Sequence, residues 1–103
     1  MRRGEIRWYT FKKPDKRRPV LILTRNSAIE YLGEITVAPI TTTMRDIPTE
    51  VILTEEEGMP QMCCINLDHI QTISKVQIGA LITILNEQQL LQVQRAILFA
   101  LGF

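Results

Sequence analysis

From Arg17 to Thr24 the chain reads Arg-Arg-Pro-Val-Leu-Ile-Leu-Thr, a run of large apolar residues entered through two arginines and a proline. A short continuous apolar run with such boundaries forms a strand covered on both faces rather than one lying on a wet surface. Arg18 is thereby delivered to a rigid strand edge. A guanidinium stays protonated at working pH and presents a planar fork of donors, so one fixed beside a framework is suited to a phosphodiester. The competing reading is a pair of surface arginines that only solvate a strand end.

The 103 residues suffice for one domain, residues 1–103, with one hydrophobic core. Formal net charge is only +1, but its distribution is uneven. Arg2, Arg3, Arg7, Lys12, Lys13, Lys16, Arg17, Arg18 and Arg25 face only Glu5 and Asp15 in the first quarter, while Asp46, Glu50, Glu55, Glu56 and Glu57 follow. A localised basic face is the footprint of a polyanionic partner even when the total is near neutral; a solvated hairpin face is the alternative. The N-terminus lacks the apolar stretch of a signal peptide, and no window approaches a membrane span, which leads to the expectation of a cytoplasmic protein without membrane attachment. Cys63 and Cys64 are adjacent, so on a strand they point to opposite faces. With a single histidine they fall short of a zinc ligand set. Both read as small hydrophobes, with a thiolate paired to His69 as the catalytic alternative.

Strands are expected over Glu5 to Thr10, Pro19 to Thr24, Glu34 to Ile40, Glu50 to Thr54 and Gln61 to Leu67, with a charged loop turned by Pro14 and Asp15 and an acidic loop from Glu55 to Pro60. Tyr31 to Glu34 reads as a turn. Pro39 cannot donate to a ladder and belongs at an edge or bulge. Residues 72–85 read as strand around Gly79, with a short helix near Lys75 as the alternative. Asn86 followed by Gln89 forms a capping-box pattern, and Leu90, Val93, Ile97 and Leu101 recur at helical spacing. The last helical turn is apolar nearly all round, which implies a second buried contact. A twofold dimer is the preferred reading and a deeply sunk helix the other. Short strands at close spacing with one terminal helix imply a mainly β fold, a small SH3-like barrel carrying a C-terminal helix.

Arg3-Gly4-Glu5-Ile6 with Trp8, Arg18-Pro19-Val20, Val37-Ala38-Pro39-Ile40-Thr41 and Cys64-Ile65-Asn66-Leu67-Asp68-His69-Ile70 occur in an order and spacing that resemble the MazF/PemK (Kid) toxins, sequence-selective endoribonucleases of toxin–antitoxin modules. The resemblance covers nearly the whole chain. It implies a MazF/CcdB-like fold, a homodimer that cuts single-stranded RNA without a metal or other cofactor, and a cognate MazE-like antitoxin with a disordered acidic tail. It carries the catalytic arginine onto Arg18 and the catalytic threonine onto Thr41. In cleavage by a neighbouring 2′-hydroxyl, charge builds on the nonbridging oxygens of phosphorus, and a fixed guanidinium with a hydroxyl donor matches it.

Deprotonating the 2′-hydroxyl requires an acceptor, and Asp15, Asp68 and His69 are the candidates. The segment before Arg18 is short and lacks the Gly-Ser-Glu-Gln type of sequence common among relatives, so Asp15 is a positional stand-in. Lys12, Lys13, Lys16, Arg17 and Thr42 are the expected RNA contacts, and Trp8, Tyr9, Phe11 and Tyr31 offer planes on which bases stack. Two rival functions are a non-catalytic CcdB-like poison of a protein target and a small nucleic-acid-binding barrel that cuts nothing.

Overall fold

Strand β2 (Arg17–Ile22) lies between β1 (Glu5–Thr10) and β3 (Glu34–Thr41) in a computed structural model that describes residues 1–10 and 16–103. Alternation along β2 sends Leu21 into one buried cluster with Ile6, Ala38 and Ile40. Val20 and Ile22 enter a second cluster with Tyr9, Ile35 and Val37. The strand is covered on both faces, as its unbroken apolar run requires. Full burial of each such side chain contributes about 1.5–3 kcal/mol.

All pairings are antiparallel. With β4 (Glu50–Leu53), β5 (Cys63–Asn66) and β7 (Ile78–Ile84), the main order is β4-β5-β3-β2-β1-β7, and β6 (Gln71–Ser74) pairs with β3 outside that path. β3 bonds to β6 over Glu34–Val37 and to β5 over Ile40 and Thr41, which curls the sheet into a partly open barrel. Ala38 and Pro39 occupy the handover, where that edge of β3 has no strand partner and a residue without a donor is tolerated. The two ends of the sheet approach each other at Gly58, whose φ is 93°. A Cβ there would meet the Thr83 hydroxyl at 2.9 Å. The same hydroxyl donates to the Glu57 carbonyl at 2.8 Å, tying β7 to the turn after β4.

Helix α1 (Asn26–Ile29) was not expected. A single turn has no periodicity to read; it is held by burial of Ala28 and Ile29 and by Lys75 Nζ donating to the Ile29 carbonyl at 2.6 Å. Helix α2 (Glu87–Leu101) has the anticipated reciprocal cap, Gln89 N–H to Asn86 Oδ1 at 2.8 Å and Asn86 N–H to Gln89 Oε1 at 2.9 Å. Val93 and Ala96 are buried, and Leu90, Ile97 and Ala100 pack beside them. Leu101 departs from the expected stripe. It is half exposed, as Ala100 continues the packed row one turn beyond Ala96.

Other boundaries also shift. The strand expected over Gln61 to Leu67 runs only from Cys63 to Asn66, because Asn66 caps a 3-10 turn, Leu67–His69. The span 72–85 divides into β6 and β7 around a 3-10 turn at Lys75–Gln77, the helical alternative near Lys75. Glu55–Glu57 within the acidic loop is a third such turn, boxed by Thr54 and Glu57. Among the described residues no helix is long and apolar enough to cross a membrane.

Candidate active site

Strand register places the central pair. Val20 lies opposite Pro39, and continuing that antiparallel register by two residues sets Arg18 opposite Thr41. Thr41 in turn faces Cys64, which faces Ile52 on β4. One step inward, Asn66 faces Glu50. Opposed residues, and residues two apart on one strand, project to the same face of a sheet. Arg18, Thr41, Cys64, Asn66 and Glu50 therefore share one face of the strand ends, although they are far apart in sequence.

A hollow of about 320 Å³ opens on that face, lined by Arg18, Thr41, Thr43, Arg45, Glu50, Asn66 and His69 among others. Arg18 is exposed and pairs with no carboxylate among the described residues, while Thr41 is half-buried at the end of β3. The Thr43 N–H donates to Thr41 Oγ1 at 3.1 Å, which leaves the hydroxyl hydrogen available to a ligand. Asn66 Oδ1 accepts from the Asp68 N–H at 3.0 Å, so its amide nitrogen is the group 3.2 Å from His69 Nδ1. Nδ1 is then the acceptor, and Nε2 is the edge of the ring left for a ligand.

The opposite face collects the alternate residues. Trp8 faces Pro19, and a second hollow of about 370 Å³ is lined by these with Lys16, Arg17, Met59, Pro60 and Gln61; Arg18, Ile40 and Thr41 border both hollows. The Arg17 guanidinium lies 4.3 Å from the centroid of the Trp8 ring, a cation–π contact that holds a positive charge at the mouth. This hollow combines an aromatic ring and apolar side chains with the cations Lys16 and Arg17.

The expected site residues thus separate. Arg18 and Thr41 come together, His69 joins them on the polar side, and Lys16, Arg17 and Thr42 line the apolar side. Asp68 lines neither hollow, and its carboxylate accepts the Thr49 hydroxyl at 2.6 Å. Lys12, Lys13, Asp15 and Phe11 lie outside the described residues. Two described cations of the basic N-terminal quarter are engaged within the fold. Arg7 pairs with Glu5 at 2.7 Å, and Arg3 Nε donates to the Leu23 carbonyl at 2.8 Å. Tyr9 is buried and donates to Gln77, whereas Tyr31 is exposed away from both hollows.

Burial pushes the Cys64 thiol up to about 11, with the Glu50 carboxylate adding to the effect, and burial likewise raises Cys63. Neither supplies a thiolate near neutral pH. Sequence reasoning missed Arg45, Glu50 and Asn66. Only the pairing of β4 with β5 reveals that Glu50 and Asn66 share a face with Arg18.

A family model described as PemK-like, MazF-like toxin of type II toxin-antitoxin system matches residues 2–101. Endoribonuclease MazF3 of Mycobacterium tuberculosis is 46% identical over 65 residues, which span 63% of this chain and 63% of that relative's length. The solved structure of M. tuberculosis toxin MazF-mt6 superposes with a TM-score of 0.88 at 37% identity, covering 96% of this chain and 97% of that one. An endoribonuclease solved with its cognate antitoxin, from a mycobacterial species, has the same fold, with a TM-score of 0.87 at 23% identity and coverage of 100% and 96%. The curled sheet, its terminal helix and the matched sequence agree: this chain belongs to the PemK-like, MazF-like toxins of type II toxin–antitoxin systems.

Proposed function

We propose that the protein is an endoribonuclease that cleaves single-stranded RNA by attack of a 2′-hydroxyl on the adjacent phosphate, leaving 5′-hydroxyl ends. What supports this reading most is the placement of Arg18 and Thr41 on one face of an open cleft, with the guanidinium free of any described carboxylate. Arg18 neutralises the charge that develops on the nonbridging oxygens, and the Thr41 hydroxyl donates to the same phosphate. Both groups are preset by strand pairing, so little reorganisation accompanies the reaction.

His69 fits a donor's role. With Nδ1 engaged by Asn66, its free edge is Nε2–H, which can hydrogen-bond the phosphate. Asp68 serves the Thr49 contact, and Asp15 stays a candidate acceptor for the 2′-hydroxyl proton. Lys16 and Arg17 hold neighbouring phosphates, and Trp8 stacks a base.

The working protein is a cytoplasmic homodimer restrained by a cognate antitoxin. Leu91, Leu98, Phe99 and Leu101 leave a large apolar surface exposed on α2, and closing it against a second copy removes that surface from water. An acidic antitoxin tail across the cleft complements Lys16, Arg17 and Arg18.

Incubation with mixed-sequence single-stranded RNA in EDTA tests the reading. The expected products carry 5′-hydroxyls that a polynucleotide kinase labels directly, and an RNA methylated at every 2′-oxygen stays whole. Cleavage of the methylated strand, or a reaction that EDTA stops, contradicts this mechanism.

A further inference from the structure

We propose that Arg45 is a second phosphate-binding residue of the cleft, gripping a phosphate beside the one held by Arg18; this rests on the ribonuclease reading. Arg45 lies in the 42–49 segment, which carries no regular structure and whose side chains are exposed up to Pro48. The segment is nonetheless built. The Glu50 carboxylate accepts from both the Arg45 and the Asp46 N–H through the same oxygen, at 2.9 and 3.1 Å. Asp46 adopts a left-handed conformation with φ of 54°, and the Glu50 N–H closes the turn on the Ile47 carbonyl at 3.0 Å. On the other side the Cys64 thiol donates to the Thr43 carbonyl at 3.8 Å, and the Thr43 N–H bonds Thr41.

Glu50 and Cys64 stand on β4 and β5, the strands whose register also fixes Thr41. The backbone root of Arg45 is thus tied to the same framework as the catalytic pair. Its side chain is exposed, and its guanidinium has no partner among the described residues. Arg45 and Arg18 border one polar hollow. A guanidinium offers only donors, so its ligand on this face is anionic, and a nucleic acid strand lying at Arg18 brings a phosphate with every nucleotide. Fixing the loop beforehand reduces the entropy lost when the cation engages. Glu50 is in this scheme a positioning residue for Arg45, not a base.

The salt dependence of binding reads phosphate contacts directly. For a single strand, each phosphate neutralised contributes about 0.7 to the slope of log affinity against log salt. The probe is a mixed-sequence RNA methylated at every 2′-oxygen, bound by wild type, Arg45→Ala, Arg45→Lys and Arg25→Ala. Arg45→Ala is expected to lower the slope by about 0.7 and, with cleavable RNA, to raise KM more than it lowers kcat. Arg45→Lys restores the slope, and Arg25→Ala, outside both hollows, leaves it unchanged. A wild-type slope in Arg45→Ala, with wild type binding and cutting RNA, overturns this assignment alone. Wild type that neither binds nor cuts RNA overturns it together with the nuclease reading.

Discussion

The two faces of the strand ends at Arg18 and Thr41 offer a ligand different contacts. On one, Trp8, Pro19, Met59 and Pro60 make an apolar floor whose cations stand at the rim. On the other, Glu50, Asn66 and His69 sit in hydrogen bonds already made before any ligand arrives. An aromatic ring such as that of Trp8 accepts any base that can stack, since every base has a π face. A preset polar face instead fixes the direction of donors, which a reacting phosphate demands. Alternation in a single strand, Arg17 to one face and Arg18 to the other, supplies both from adjacent residues. The comparison assigns affinity mainly to the first face and rate mainly to the second.

Among variants that keep Arg18, removing the Thr41 hydroxyl has the largest expected effect on this division. Thr41→Val should lower kcat by about 10² to 10³ with RNA affinity nearly kept, as measured by single-turnover cleavage. Trp8→Ala comes next and breaks the other face. Losing one stacked base costs about 1–3 kcal/mol, so RNA affinity falls about tenfold or more while kcat is retained. Equal losses of rate in the two variants would show that the faces do not divide the work.

Gly58→Ala tests the frame that holds the faces in place. A left-handed φ costs a side chain about 1–2 kcal/mol, before the clash with Thr83 is counted, and thermal unfolding should show that loss without a matching change in the pH profile of kcat. Smallest is the effect on native cysteine chemistry. With the folded Cys64 value raised to about 11 from 9.0, the thiol form contributes stability that is complete below 9.0 and lost as pH climbs through 11. At pH near 8, alkylation by iodoacetamide should be slow in the folded protein and complete on unfolding; fast native labelling would contradict the burial of that residue.

The parts of this architecture legible in the sequence were those written in a local pattern. The apolar run of β2 and the Asn86 to Gln89 cap of α2 are each contiguous and specify their own geometry. Arg18 and Thr41 were found through motif spacing in the family resemblance, and the register of β2 with β3 supplies a physical reason for their meeting. Glu50, Asn66 and Arg45 were not legible, because their partnership depends on β4 pairing with β5 and on a loop shaped by backbone bonds to a carboxylate. The same limit applies to the basic N-terminal quarter. No local pattern tells that Arg7 is spent on Glu5, or that Arg3 is tied to the backbone at Leu23. The partner of Asp68 was equally hidden: beside His69 it reads as an acid–base candidate, and the structure shows its Oδ2 taking the hydroxyl of Thr49.

One side-by-side measurement bears most directly on the central claim that Arg18, not merely positive charge in the cleft, stabilises the reacting phosphate. Arg17→Ala and Arg18→Ala alter adjacent residues of one strand, with equal loss of charge and opposite facing. Steady-state cleavage of single-stranded RNA in EDTA should show Arg18→Ala without detectable turnover though still able to bind RNA, and Arg17→Ala with a raised KM and a kcat close to wild type. Turnover surviving in Arg18→Ala, or lost equally in both variants, would contradict the account.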